Sequence, residues 1–292
     1  MFPGQGAQSP GMGGPWKGHR AWGVVGRAEG VLDRRLEPLL LEAPLDRTAD
    51  AQLAVLLVSL MAWEAVRPRL DAPVAVAGHS LGQLTALVAA DVVSFDAGLR
   101  LVAERARVTQ EEADRAPGAM AALLGATPEQ VEAATAAAPE ACWLANDNAP
   151  GQVVLAGSHD GLEAGVAAAR AAGARKVMPL AVDGAFHTPL MDGARRALAG
   201  YLDSVVFTAP AVPVVSNADA TPYRDGDGWR RRLADHLVQP VRWRQSVEAM
   251  VGLGASTLVE VGPGRALAGM ARRIVPDVPV ESIDVEALEV TR

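Results

Sequence analysis

Gly78-His79-Ser80-Leu81-Gly82 puts a serine hydroxyl between two glycines, with a short apolar run at 74–77 before it and a second apolar run after it. A Gly-x-Ser-x-Gly pattern in that setting reads as a sharp strand-to-helix turn that displays a nucleophile. Glycines allow the strained backbone and the close approach of neighbouring chain that such a turn needs. The hydroxyl then stands at a helix N-terminus, where unpaired N–H groups and the helix dipole favour negative charge. The chemistry indicated is covalent: the serine takes an acyl group and passes it to water or to another nucleophile.

A serine in this role needs a base. The sequence holds five histidines. His19 lies in a Gly-rich stretch that reads as an exposed loop. His79 adjoins the serine, and its side chain should diverge from it and line a pocket. His159 falls near the start of a helix, where a surface role is expected. His236 precedes "LVQPVRW", and the residues alone leave it open. His187, in "DGAFHTPLM", falls where an inserted unit returns to the main fold, a junction of the kind at which sites are assembled. Spacing alone leaves His187 divided between a base and a satisfied structural histidine.

The elements that must position these groups follow from periodicity. Residues 53–67 read as a helix ending before Pro68. Residues 74–77 suit a buried parallel strand, and 81–90 a helix. Residues 96–115 form a long amphipathic helix, Asp96 near its start, with Leu99, Val102, Ala103 and Ala106 facing inward. The rhythm then changes. Over 117–182 the order is strand, helix, strand, strand, helix, strand, with Thr127 and Pro128 opening the first helix and Gly173 closing the second. That order is the ferredoxin-like split βαβ. Short buried strands resume at 213–216 and 256–264. The fold class expected is therefore α/β: a core with a parallel sheet from residues 1–115 and 185–292, interrupted by a small α+β subdomain at 116–184. The chain opens on "MFPGQG" as if entering a strand near its end, so part of that strand is expected upstream.

Composition narrows the function. With 292 residues, half of them apolar, the chain can bury one sizeable core plus an insert. A formal charge of −7 without a basic cluster argues against nucleic-acid binding. Cys142 is the only cysteine, which excludes an internal disulfide and a cysteine metal cage. No segment resembles a secretion leader, and the apolar run at 53–63 is too short to span a bilayer, so it reads as a buried helix of a cytoplasmic protein with no membrane partner. The Gly-rich start has neither of the phosphate-cradling spacings, and no histidine pair has metal-ligand spacing, so no cofactor and no metal are expected. "WRRRLADH" at 229–236, Arg195 with Arg196, and Arg272 with Arg273 are either solvated faces or a rim that orients an acidic partner.

Six segments sharpen the reading: "FPGQGAQ" at 2–8, "GHSLG" at 78–82, "ERARVTQ" at 104–110, "NAPGQVVLAG" at 148–157, "AFHTPLM" at 185–191 and "VEVGPG" at 259–264. In this order, over nearly the whole chain, they resemble the malonyl-CoA:acyl-carrier-protein transacylase family, which includes the acyltransferase domains of fatty-acid and polyketide synthases. The resemblance implies an α/β-hydrolase-like core with a ferredoxin-like subdomain. It implies Ser80 as nucleophile and His187 as general base, a dyad whose histidine is oriented by the main-chain carbonyl of His236, where relatives often carry Gln or Asn. The backbone N–H groups of Gln5 and Leu81 would form the oxyanion hole, each such donor being worth roughly 3 kcal/mol of barrier. Arg105 would grip a free carboxylate on the acyl donor, a task suited to the planar guanidinium fork.

By the same resemblance, the donor is an acyl-CoA thioester and the acceptor is the phosphopantetheine thiol of an acyl carrier protein. The enzyme would be a free-standing monomer that carries no cofactor of its own. His79, Phe186 and Gly184 would border the acyl group. Phe186 would fill the space of a C2 substituent, which favours malonyl over substituted malonyl; exclusion of one methyl is worth only about 1–3 kcal/mol. Gly184 departs from the commonest family segment, and so does Gln83, where relatives often have Glu. The competing function is a carrier-protein thioester hydrolase of the same fold. Arg105 speaks against it, because a neutral acyl chain gains nothing from a buried cation whose desolvation is uncompensated.

Overall fold

The computed structural model describes residues 1–182 and 184–283. The chain enters through α1 (Gly23–Leu32), α2 (Glu37–Leu41) and α3 (Thr48–Val66), then β1 (Val76–Ala77), α4 (Gly82–Ala89) and α5 (Phe95–Arg115). A second block holds β2 (Ala119–Leu124), α6 (Pro128–Ala137), β3 (Cys142–Ala149), β4 (Gln152–Gly157), α7 (His159–Ala171) and β5 (Lys176–Pro179). The chain closes with α8 (Asp192–Leu202), β6 (Val214–Val215), β7 (Pro222–Tyr223), α9 (Trp229–Asp235), α10 (Trp243–Gly252), β8 (Leu258–Glu260), α11 (Ala266–Ile274) and β9 (Val280–Ser282).

α3 is the central helix. Every residue in it except Ala49, Asp50 and Glu64 is buried. It begins five residues before the expected start, because its first turn, Thr-Ala-Asp-Ala-Gln, is polar in sequence yet largely buried in place. It also continues through a 3₁₀ turn at Arg67–Arg69, so Pro68 ends the α-helix without ending the helical path. The whole run, Thr48–Arg69, has 22 residues, and its most apolar 18-residue window has a mean hydropathy of 1.5, enough in length and composition to cross a bilayer and longer than the 53–63 stretch suggests. Most of its apolar window, 83%, is buried inside the molecule. α1, α4 and α5 pack around it. α5 is capped by the Ser94 hydroxyl, which accepts from Ala97 N–H.

The strands of the main body are short. β1 pairs in parallel with β6, β6 pairs antiparallel with β7, and β8 pairs in parallel with β9. Residues 1–2 join these pieces: Phe2 N–H donates to Ala77 O, His79 N–H to Phe2 O and Val261 N–H to Met1 O. The expected strand at 74–77 reduces to Val76–Ala77, because Pro73 and the exposed Val74 precede it.

The block from 119 to 179 is built differently. Its four strands make one antiparallel sheet in the order β3-β4-β2-β5. α6 carries the capping box of Thr127 and Gln130 with Pro128 at its first position. Ala121, Leu123, Leu155 and Cys142 pack with Ala134, Leu162 and Ala169 of α6 and α7 in one small core. Cys142 is fully buried there, and burial pushes its thiol up to about 11. A second cluster joins Met120, Ala145, Val154 and Ala156 to Ala185, with Phe186 and Leu190 packed against it. The segment that carries His187 is therefore seated on this sheet. The strand expected to close the 117–182 stretch pairs only over Lys176–Pro179. A parallel bridge between Asn146 and Val241 and a bidentate Arg244–Asp147 ion pair tie β3 to the segment entering α10. Of the expected partition, Asp183 and the last nine residues of the 185–292 part lie outside the described residues.

Candidate active site

The serine turn is packed at the level of the main chain. A Cβ on Gly78 would stand 1.9 Å from the Gly82 carbonyl carbon, and one on Gly82 would stand 2.1 Å from Phe2 O. Only glycine fits at either position. Ser80 itself has a left-handed backbone, φ +51°. Its N–H donates to Asn217 Oδ1 at 2.7 Å. α4 starts two residues later, so Ser80 faces a helix N-terminus, as the sequence pattern predicts.

Ser80 Oγ lies 2.8 Å from His187 Nε2. His187 Nδ1 lies 3.0 Å from the main-chain oxygen of His236. A carbonyl oxygen only accepts, so Nδ1 carries the proton and Nε2 is the bare nitrogen that accepts from the serine hydroxyl. His187 also has a left-handed backbone, φ +63°, and the Thr188 hydroxyl braces it by donating to Ala185 O. Burial, and next the Arg105 charge, push the His187 imidazole down to about 3. The ring is therefore neutral at physiological pH and free to receive a proton.

Arg105 projects from α5 into the same site and is 7% exposed. Nη2 donates to Ser80 Oγ at 3.1 Å and Nη1 to Gln52 Oε1 at 2.8 Å. Desolvation lowers its pKa to about 10, which leaves it cationic. Its neighbour Glu104 pairs with Arg107 instead. Among the described residues no carboxylate is paired with Arg105, so a buried cation faces the Ser80 hydroxyl with donors to spare.

The remaining expected residues surround this centre. Gln5 is tied by side chain to Thr48 and Gln52. No backbone carbonyl among the described residues accepts from the N–H of Gln5 or of Leu81. His79 turns away from the serine: its Nε2 pairs with Asn148 Oδ1 at 2.8 Å, and its ring stands edge-on to Trp243. The His236 ring lies 4.7 Å from that of His187, and its Nε2 is buried without a partner. Gly184 has φ +150°, and the Phe186 ring folds back over it, 3.2 Å from where a Cβ would be. Away from the site, His159 is exposed as expected. His19 sits in a loop as expected but is half-buried rather than exposed, and its Nδ1 accepts from Ala21 N–H to cap a 3₁₀ turn. Arg195 and Arg196 pair with Asp192, while Arg272 and Arg273 bond to Val280 O, Gln152 and Pro150 O. A surface groove of about 740 Å³ between Trp63, Phe95, Arg100 and Val206 includes none of the expected site residues.

Three functional neighbours escape the sequence reading. Gln52 could have been found, because it is the polar residue at the head of the apolar run of α3. Asn148 and Asn217 carry no comparable signal, since an Asn at or just past a strand end is common in turns.

Fold and site together define a class: a mixed α/β protein that presents a serine, paired with a neutral imidazole, beside a buried cation. The profile of the acyl transferase domain matches residues 1–285, and the chain belongs to that family. It is 37% identical to the malonyl CoA-acyl carrier protein transacylase of Escherichia coli K12, over 97% of this chain and 94% of that protein. It is 34% identical to the Bacillus subtilis protein of the same name, over 94% of this chain and 89% of that one. The acyl carrier protein S-malonyltransferase of Vibrio cholerae has a similar structure, with a TM-score of 0.94 at 35% identity, covering 100% of this chain and 98% of that one. A malonyl-transacylase solved in complex with its type II polyketide-synthase acyl carrier protein also gives a TM-score of 0.94, at 34% identity over 99% of this chain and 96% of that one.

Proposed function

We propose that this acyltransferase moves a malonyl group from coenzyme A to the phosphopantetheine thiol of an acyl carrier protein, through a malonyl ester on Ser80. His187 takes the Ser80 proton as Oγ attacks the thioester carbonyl. The Gln5 and Leu81 N–H groups receive the developing oxyanion, and coenzyme A leaves as its thiol, protonated by His187. The carrier thiol then gives its proton to His187 and attacks the ester; the Ser80 oxygen leaves and takes that proton back from His187. The His236 carbonyl holds the imidazole in the tautomer both steps require. Arg105 grips the malonyl carboxylate, and His79, Phe186 and Gly184 border the acyl group. Malonyl is the preferred donor, with substituted malonyl the reserve.

The single observation behind this reading is Arg105: buried, cationic, unmatched by any described carboxylate and 3.1 Å from the serine oxygen. A buried cation without an anion is a standing cost of folding, offset only when a ligand supplies the charge. A hydrolase for neutral acyl chains has no use for it, and the relatives named above are transacylases. Transfer between thioesters is nearly balanced in energy, so an enclosed site that admits the thiol and excludes water sets the outcome.

The same reading takes the main body as an α/β-hydrolase-like core and 116–184 as a ferredoxin-like insert. The strand order β3-β4-β2-β5 with both helices in one shared cluster supports the latter. It takes the enzyme as a cytoplasmic monomer without a resident cofactor. The test is Arg105→Ala with malonyl-CoA and acetyl-CoA as donors, read by intact mass of the carrier protein. Loss of the buried charge pair should slow malonyl transfer by about 100-fold or more and acetyl transfer by less than about 10-fold. Equal loss for both donors would make Arg105 structural only.

A further inference from the structure

Ser80 is held by more than its own turn. Asn217, two residues past β6, is fully buried and has a partner for every kind of polar group it carries. Its Oδ1 accepts from Ser80 N–H at 2.7 Å, and its Nδ2 donates to Gly78 O at 2.7 Å. Its own N–H donates to Gln83 Oε1 at 2.6 Å, and its carbonyl accepts from Arg242 N–H at 2.8 Å. One residue thus joins the strand end before the serine, the serine peptide, the first turn of α4 and the entry to α10.

We propose that Asn217, braced by Gln83, is a positioning residue that fixes the peptide of the nucleophile; the inference rests on the reading of Ser80 as the acylated group. A serine at φ +51° is in a region that costs a non-glycine residue about 1–3 kcal/mol, and such a conformation persists only where its surroundings over-determine it. A side-chain amide can accept from Ser80 N–H and donate to Gly78 O at once. Aspartate would set an oxygen against the Gly78 carbonyl, and an apolar isostere would leave both backbone groups buried and unmet. The clamp also divides labour between adjacent amides: Ser80 N–H is spent on Asn217, while Leu81 N–H stays without a backbone acceptor. Gln83 fits the same account. Its Oε1 bonds Asn217, while its buried Nε2 has no partner, so this side chain acts here through its acceptor alone.

The experiment measures Ser80 acylation by time-resolved intact mass at saturating malonyl-CoA, and labelling by a serine-directed fluorophosphonate, which needs no carboxylate grip. Asn217→Asp should slow both by about 100-fold, the scale of an ångström of misplacement. The dissociation constant for malonyl-CoA, measured by calorimetry in a Ser80→Ala background with and without Asn217→Asp, should stay within about 3-fold, since positioning acts on the reacting atom and not on donor binding. Wild-type acylation rates in a folded Asn217→Asp protein would overturn the proposal, as would a loss confined to donor affinity. If Asn217→Asp does not fold, Gln83→Leu and Gln83→Glu decide the matter. Leu removes the acceptor and should slow labelling about 10-fold, whereas Glu keeps an acceptor oxygen and should stay within about 3-fold of wild type. Equal rates for these two would overturn the proposal. A wild-type enzyme that labels with the fluorophosphonate but not with malonyl-CoA would sink the donor assignment and leave the clamp standing.

Discussion

The two halves of the proposed catalytic pair are held in opposite ways. Ser80 and His187 both have left-handed backbones, and their side chains meet at 2.8 Å. Around Ser80 the precision lies in main chain pressed on main chain, with Gly78 against Gly82 and Gly82 against Phe2 O. Around His187 it lies in discrete hydrogen bonds, Nδ1 to His236 O and the Thr188 hydroxyl to Ala185 O, on a segment seated over the four-stranded sheet. The first arrangement fails if any atom is added. The second fails only if a particular bond is lost, and it tolerates change in side chains whose backbone makes that bond.

The sharpest way to break this contrast is Gly82→Ala. The new methyl has only backbone to meet, so nothing flexible can give way. We expect a loss of at least about 3 kcal/mol in denaturation and no acyl-Ser80 adduct by mass. A well-folded, active Gly82→Ala enzyme would show that the turn is looser than its packing indicates. His187→Ala comes next. The turn should survive intact while acylation slows by about 1,000-fold, the usual range for a lost general base. A matching collapse in stability would show that the base also holds the fold.

Acidity is a property the two halves share. His187 is pushed down to about 3, His236 well below its ordinary value, and His79 is lowered too, all chiefly by burial. Below about pH 6.5 the unfolded chain binds protons at these positions that the folded chain resists, at His187 down to about pH 3. Stability from them is complete above about pH 6.5 and falls as pH drops, by up to about 1.4 kcal/mol per pH unit for each histidine. Urea midpoints at pH 7.5 and 5 should show the fall. His236→Gln should make it shallower, because one of the three imidazoles is removed. That variant should have the smallest effect on rate, within about 3-fold of wild-type acylation, since the orienting carbonyl is main chain and present whatever the side chain. A 100-fold loss in His236→Gln would mean that the buried ring, not the carbonyl, orients the base.

The same contrast explains what the sequence could disclose. Glycine demanded by main-chain packing is visible as letters, so the Ser80 turn can be read directly. The 119–179 block is legible for a related reason: β2, β3 and β4 are six to eight residues long and are flanked by the well-capped helices α6 and α7. The main-body strands are two or three residues each, too short for a period to show, and only their flanking Gly and Pro betray them. The start of α3 was hidden because buried polar residues at its head, Thr48 and Gln52, serve the site and not the core. The partners of His187 were hidden as well, since a carbonyl carries no letter. Only motif resemblance points to them and to Arg105, which by composition alone is an arginine beside a glutamate.

The lone cysteine has a practical consequence. Cys142 is sealed between the four-stranded sheet and its two helices, its thiol resting far above neutral pH in protonated form. A protein whose work is to shuttle acyl groups among sulfur nucleophiles thus contributes no competing sulfur while folded. With malonyl-CoA present and carrier protein left out, a chromogenic disulfide should therefore count only the coenzyme A thiol released as the enzyme is acylated, and one further equivalent of colour should mark the moment the enzyme unfolds.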